Sequence, residues 1–153
     1  MKHNENSRVK IPALVHLTRL GYEYLSLKNY QGIIHLDANI FVDIFRESIS
    51  CINGKTLSEQ DATALISELS IKLSNEDLGK AFYNILLNGI NGIRLIDFEN
   101  SSRNTYHVVT ELTYRNGDDE FRPDIILLIN GMPLSFVEVK KPNNKDGIIA
   151  EHN

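Results

Sequence analysis

The sequence predicts an α/β (α+β) fold in which a central mixed sheet is flanked by helices. Up to about residue 88, apolar residues recur at intervals of three and four, which is the spacing of one helix face. After Gly92, the chain contains short runs rich in β-branched and aromatic residues, separated by turn residues. No repeat or linker divides the 153 residues, a length that suits one core. We interpret 1–153 as a single domain with helices first and the sheet second.

Four helices are predicted in the first part of the chain, near 12–20, 38–51, 58–73 and 76–87. Ser58 with Asp61 three residues later is typical of a capping box at the start of the third helix. Asn53-Gly54 and Asn88-Gly89 favour left-handed residues that end the helices before them. All four predicted helices are short enough for a compact domain.

Four strands are predicted after the helices, at Ile93–Phe98, Thr105–Arg115, Asp124–Ile129 and Leu134–Lys140. The last two strands flank Asn130-Gly131, the strongest hairpin signal in the chain. Apolar residues occupy both alternating sets of positions in these two strands, so both faces are expected to be buried. The hairpin is therefore predicted to lie at the centre of the sheet.

Composition and charge exclude several classes of protein. The net charge is −4, divided as +3 over 1–30, −5 over 31–100 and −2 over 101–153, which argues against bulk electrostatic binding of nucleic acid. The single Cys51 and the five scattered histidines form no zinc or disulfide pattern. Neither a membrane-spanning apolar run nor a signal peptide is found, so we expect a cytoplasmic protein.

Three charged residues lie in the two apolar strands, where buried charged side chains are unusual unless they have a partner or a function. Asp124 begins the first strand, and Glu138 and Lys140 occupy alternate positions, hence one face, near the end of the second. A two-residue turn of Asn130 and Gly131 would put Asp124 on the opposite face from Glu138 and would break the site. A three-residue turn of 129–131 with a bulge at Gly131 would put both acids on one face, as diagonal neighbours. We predict the bulged turn.

Carboxylates brought together in this way suit one hard divalent cation. Asp124, Glu138 and the backbone carbonyl of Val139 are candidate ligands of Mg²⁺, which would activate a phosphodiester and a water molecule. Lys140 could orient that water or stabilise charge that builds on phosphate oxygens. A structural alternative remains open, in which Asp124 only starts a strand and Glu138 and Lys140 form a cross-strand ion pair. Lys141 is interpreted as a solvated strand end.

The segment RPDIILLINGMPLSFVEVKKP at 122–142 resembles the nuclease segment of the R (HsdR-type) subunit of type I restriction-modification enzymes, in the PD-(D/E)-x-K superfamily. NTYHVVTELT at 104–113 and ENSRVKIPALVHLTRLGYEY at 5–24 are also similar to that family. The resemblance implies a restriction-endonuclease-like core, DNA cleavage with Mg²⁺, metal ligands at Asp124 and Glu138, and a catalytic lysine at Lys140. It further implies an acidic residue from the first helix, for which Glu5 is the candidate, although a helix beginning at Pro12 would exclude it.

The resemblance also implies partners that the chain does not contain. R subunits carry an ATP-driven DNA translocase, yet no phosphate-loop motif G-x-x-x-x-G-K-[ST] is present here, so we expect the nuclease part of a longer chain. The expected partners are DNA and the M and S subunits, with ATP used only by the missing motor region. Candidate phosphate contacts are the scattered basic residues Lys2, Arg8, Lys10, Arg19, Arg103, Arg115 and Arg122. The alternatives are a related repair nuclease and a non-catalytic DNA-binding or docking module.

Overall fold

The computed structural model describes residues 9–77, 79–116 and 119–140, and only the backbone of 115, 116 and 119. Within these ranges the α-helices are α1 (Ile11–Arg19), α2 (Val42–Asn53), α3 (Glu59–Leu73) and α4 (Lys80–Asn88). The strands are β1 (Glu23–Tyr24), β2 (Tyr106–Val109), β3 (Tyr114–Asn116), β4 (Asp119–Phe121), β5 (Ile125–Ile129) and β6 (Met132–Val137). Among the described residues no helix is both long and apolar enough to cross a membrane.

The main sheet has four strands in the order β1-β2-β5-β6. The pair β1–β2 is parallel, while β2–β5 and β5–β6 are antiparallel, so the sheet is mixed as predicted. β3 and β4 form a separate two-stranded sheet. Together with the four helices, this arrangement confirms the predicted α/β fold class.

The helix boundaries follow from local chemistry that the sequence displays. Ser58 caps α3, since its hydroxyl oxygen accepts a hydrogen bond from the backbone N–H of Asp61 at 3.1 Å. Gly54 ends α2 in the left-handed conformation, with φ 62° and ψ 23°. Gly89 also has a positive φ of 79° but an extended ψ of −178°, so it ends α4 without forming a left-handed cap.

Two hydrophobic clusters hold the helices and the sheet together. The first joins α2 and α3 to Met132 at the start of β6, with Phe45 and Ile66 fully buried between them. The second joins β2 and β5 to the segment before α2, with Phe41 and Ile126 fully buried. Each fully buried side chain of this size contributes about 1.5–3 kcal/mol relative to its exposed state. β5 is therefore packed into the core.

Three sequence predictions about the strands are wrong. The strand predicted at Thr105–Arg115 is divided, since β2 ends at Val109 and β3 begins at Tyr114 in the other sheet. Residues 93–98 form one isolated bridge and bends, because the Asp97 carboxylate accepts the backbone N–H groups of Glu99 and Asn100 and thereby stabilises a local alternative to a ladder. β6 does not lie at the centre of the sheet but is the last strand in its described part, and Phe136 is 55% exposed. Pro133 suits such an edge, since it has no N–H to donate.

Candidate functional site

The hairpin between β5 and β6 has a two-residue turn. Ile129 pairs with Met132, and Asn130 and Gly131 have φ angles of 53° and 77°, as a type I′ turn requires. The predicted three-residue bulged turn is therefore wrong. Asn130 adopts the left-handed conformation because its side chain is buried and bonded: it accepts the N–H of Thr105 at 2.8 Å and donates to the carbonyl of Leu95 at 2.8 Å.

The extra residue that was predicted in the turn lies inside β6 instead, where the pairing register shifts. Leu128 pairs with Pro133, but Leu127 pairs with Ser135, so Leu134 is an extra residue on the β6 side. From this bulge onward the register runs to Ile125 opposite Val137. The same register, continued by one residue at each strand end, sets Asp124 directly opposite Glu138. The side chains of the two acids are close enough to interact through a hydrogen bond.

The Asp124 carboxylate is surrounded by donors and positive charge. Its Oδ2 accepts the backbone N–H of Val139 at 3.1 Å, and Lys10 Nζ lies 3.8 Å from its Oδ1. Burial tends to raise the pKa of Asp124. The hydrogen bond shared with the Glu138 side chain, the bond accepted from the Val139 N–H, and the charges of Lys10 and Lys140 outweigh this effect and hold the pKa of Asp124 below its ordinary value. Asp124 is therefore ionised at neutral pH.

Lys140 shares the neighbourhood of the acids, since its charge acts on Asp124. Its side chain and that of Glu138 are both half-buried. Both residues lie beyond β6, which ends at Val137, so the prediction that a strand places them on one face remains a prediction. Asp124, Glu138 and Lys140 are nevertheless gathered at one end of the β5–β6 hairpin.

The donor set at this position fits a hard divalent cation. Asp124 and Glu138 offer carboxylate oxygens, and the described part of the chain contains no group of three or more His, Cys, Asp and Glu side chains able to hold a metal. Mg²⁺ keeps several waters and needs only one or two protein carboxylates, so this small set suffices for it. The ammonium of Lys10 beside Asp124 shows that the carboxylates attract a cation.

Other predicted site residues are distributed differently. Glu5, the candidate acid of the first helix, and Lys141, Lys2 and Arg8 lie outside the described residues. α1 spans Ile11–Arg19, and residues 9 and 10 form a π-helical turn that runs directly into it, so the helical backbone does not start at Pro12 but continues through it. Lys10 was predicted only as a phosphate contact, and its place beside Asp124 carries no signal in local sequence because the two residues are far apart in the chain.

Arg103, a candidate phosphate contact, makes several contacts within the protein. Its guanidinium lies 3.2 Å from the buried Asp97 carboxylate and donates to the carbonyl of Cys51 at 2.6 Å and to that of Ile52 at 3.1 Å, near the end of α2. These bonds satisfy carbonyls that a helix end leaves free, so Arg103 has a structural role. Arg19 and Arg122 are exposed, and the side chain of Arg115 lies outside the described residues.

Comparison with known proteins agrees with this arrangement. Residues 2–151 match the family described as Type I restriction enzyme R protein N terminus. The chain is 32% identical, over 94% of its length, to a Methanocaldococcus jannaschii protein named as the endonuclease subunit of the type I restriction enzyme MjaIXP. It is 30% identical, over 91% of its length, to the type I restriction enzyme HindI endonuclease subunit of Haemophilus influenzae. It spans 16% and 15% of the lengths of these two relatives.

The match extends from the residues before α1 to those beyond Lys140, and so includes both strands of the hairpin and the three charged residues gathered at its end. The resemblance found in the sequence is thereby confirmed. The chain belongs to the family of type I restriction enzyme R protein N-termini.

Proposed function

We propose that this chain is a Mg²⁺-dependent endonuclease domain of a type I restriction-modification enzyme, and that it hydrolyses phosphodiester bonds in DNA. The observation that supports the proposal is the nearness of Glu138 and Lys140 to the Asp124 carboxylate at the end of the hairpin. Family membership and the names of the relatives, which are endonuclease subunits, support a restriction nuclease role.

In this proposal the residues have distinct roles. Asp124 and Glu138 would hold the metal ion through carboxylate oxygens, with the backbone carbonyl of Val139 as a further ligand. Bound Mg²⁺ would supply Lewis-acid activation of the phosphodiester and of a water molecule. The N–H of Val139 holds one oxygen of Asp124 in place. The Lys140 ammonium would orient the water or interact with the negative charge that builds on phosphate oxygens.

The proposal extends to residues and partners beyond the described part of the chain. Glu5 remains a proposed acidic contribution from the N-terminal segment. DNA is the proposed substrate, and M and S subunits are the proposed partners in the complex. The relatives extend far beyond the matched segment, and we propose that ATP-driven translocation belongs to such a further region. Recognition of a DNA site would then depend on other subunits, which agrees with the acidic net charge here.

A metal titration with matched variants tests the proposal. Mn²⁺ or Mg²⁺ binding to the purified chain is measured by calorimetry, and plasmid nicking is measured with the same metals. Asp124→Asn and Glu138→Gln should each lose metal binding and nicking, because each removes a charged oxygen ligand at constant size. Lys140→Met should retain metal binding but lose nicking. Glu59→Gln, a change of an exposed carboxylate on α3, serves as the control and should leave both readouts unaltered.

The pattern across variants separates this proposal from the alternatives. Metal binding that survives in both Asp124→Asn and Glu138→Gln would contradict the assignment of the site. An absence of metal-dependent nicking in the unmodified chain, despite metal binding at Asp124, would favour a docking module. For that reason the nicking assay is repeated on the assembled restriction complex before the nuclease role is rejected.

A further inference from the structure

Lys10 is an unexpected member of the site. Its Nζ lies 3.8 Å from Oδ1 of Asp124, and its side chain is only 12% exposed, compared with 33% for the Asp124 side chain. A lysine side chain is seldom buried to this extent unless its charge has a partner. The described contact that satisfies this need is the carboxylate of Asp124.

The charge of Lys10 is not explained by the helix that follows it. Lys10 has right-handed helical backbone angles, φ −62° and ψ −49°, and lies in a helical turn that runs directly into α1. Its side chain makes no capping bond, and the first turn of α1 contains no acidic residue. The ion pair with Asp124 therefore links Lys10 to the hairpin site.

The oxygens of Asp124 are divided between two donors. Oδ2 accepts the N–H of Val139, and Lys10 stands at Oδ1. A divalent cation ligated by Asp124 would come close to the ammonium group, and the two positive charges would repel each other. The half-buried surroundings screen that repulsion less than bulk water would. The cation and Lys10 therefore compete for the same carboxylate.

We propose that Lys10 is a built-in competitor of the divalent cation: it neutralises Asp124 in the metal-free protein and must move away when the metal binds. The inference rests on the proposed function, since it assumes that the acids are metal ligands. Its consequence is that the metal affinity of the chain is set lower than the two carboxylates alone would allow. Lys10 is thus a positioning residue, which acts through Asp124.

The test is the affinity of the 153-residue chain for Mn²⁺, read from the loss of the free-ion electron paramagnetic resonance signal, with no DNA present. Lys10→Met keeps the apolar stem and removes the charge, and we expect it to bind Mn²⁺ at least about fivefold more tightly. Lys10→Gln should do the same, and Lys10→Arg should retain the original affinity. Lys28→Met, which removes an exposed charge elsewhere, is the matched control. Circular dichroism verifies that each variant is folded.

The outcomes distinguish the two proposals. Unchanged or weaker Mn²⁺ binding in folded Lys10→Met and Lys10→Gln, with binding still lost in Asp124→Asn, would overturn the role of Lys10 and leave the proposed function standing. An equal gain in Lys28→Met would also overturn it, because the effect would then reflect net charge. An absence of Mn²⁺ binding in the unmodified chain and in Lys10→Met alike would overturn both proposals.

Discussion

Asn130→Ala tests whether a buried polar side chain, and not only a turn preference, holds the hairpin. Asn130 is fully buried, and its amide group donates to the Leu95 carbonyl at 2.8 Å and to Asn104 Oδ1 at 2.9 Å. Its Oδ1 accepts the N–H of Thr105 at 2.8 Å. The substitution leaves these partners of the side chain unsatisfied inside the protein.

The magnitude follows from the groups that lose their partners. A buried backbone donor or acceptor left unsatisfied costs about 1–3 kcal/mol, and two such groups, at Thr105 and Leu95, are affected. Alanine at a left-handed position, where Asn130 has a φ of 53°, adds roughly 1 kcal/mol. We therefore expect the free energy of unfolding to fall by about 3–7 kcal/mol. This is a large part of the stability of an ordinary domain.

Asn91→Ala supplies the matched control. Asn91 has a φ of 52°, almost the same as that of Asn130, but it is exposed, and its side chain donates to the Glu68 carboxylate at 2.9 Å. It therefore carries the backbone cost without the buried network, and should lose only about 1 kcal/mol. The assay is urea unfolding of both variants followed by far-ultraviolet circular dichroism. If the two losses agreed within about 0.5 kcal/mol, the buried network would contribute nothing and the reasoning would be refuted.

Three further predictions concern other parts of the fold. Ser58→Ala should lower the free energy of unfolding by about 1 kcal/mol in a urea titration, because the N–H of Asp61 loses its hydrogen-bond acceptor. An unchanged free energy of unfolding would show that this cap does not stabilise the protein. Burial lowers the pKa of His107 below its ordinary 6.5, despite the opposing charge of Glu23. The unfolded chain therefore binds the proton more readily, and stability should be full above pH 6.5 and decline as the pH falls below it. His107→Phe should flatten that decline in urea midpoints measured across this range. Arg103→Met should reduce the melting temperature while leaving DNA binding by the assembled complex unaltered; weaker DNA binding at full stability would support its assignment to phosphate.

Much of the fold could be predicted because it depends on local chemistry. The cap of α3 by Ser58 and the left-handed Gly54 involve residues within one turn of each other, so they appear in the sequence as short motifs. The strand predicted at 93–98 failed for a related reason. Its composition favours a ladder, but the bonds of the Asp97 carboxylate to the backbone stabilise bends there.

The residues of the candidate site could be predicted from the sequence, but the position of the irregularity in the hairpin was predicted wrongly. The alternation of Glu138 and Lys140 on one face, and their joining by Asp124, were predicted from the period of a strand. The residue that adjusts the register was placed in the turn, whereas the structure has it at Leu134 inside β6. Pro133, which cannot donate to a ladder, is the signal in the sequence that favours an irregularity at that point.

The amino-acid order is sufficient to identify the helices, the hairpin, the family and the three charged residues, since each depends on neighbours in the chain. The approach of Lys10 to Asp124, the use of Arg103 at the end of α2 and the edge position of β6 depend on the packed molecule. Contacts between distant residues are decided by the packing of whole elements against each other. For that reason the electrostatics of the site, in which the Lys10 ammonium group lies beside the Asp124 carboxylate, emerge only from the tertiary structure.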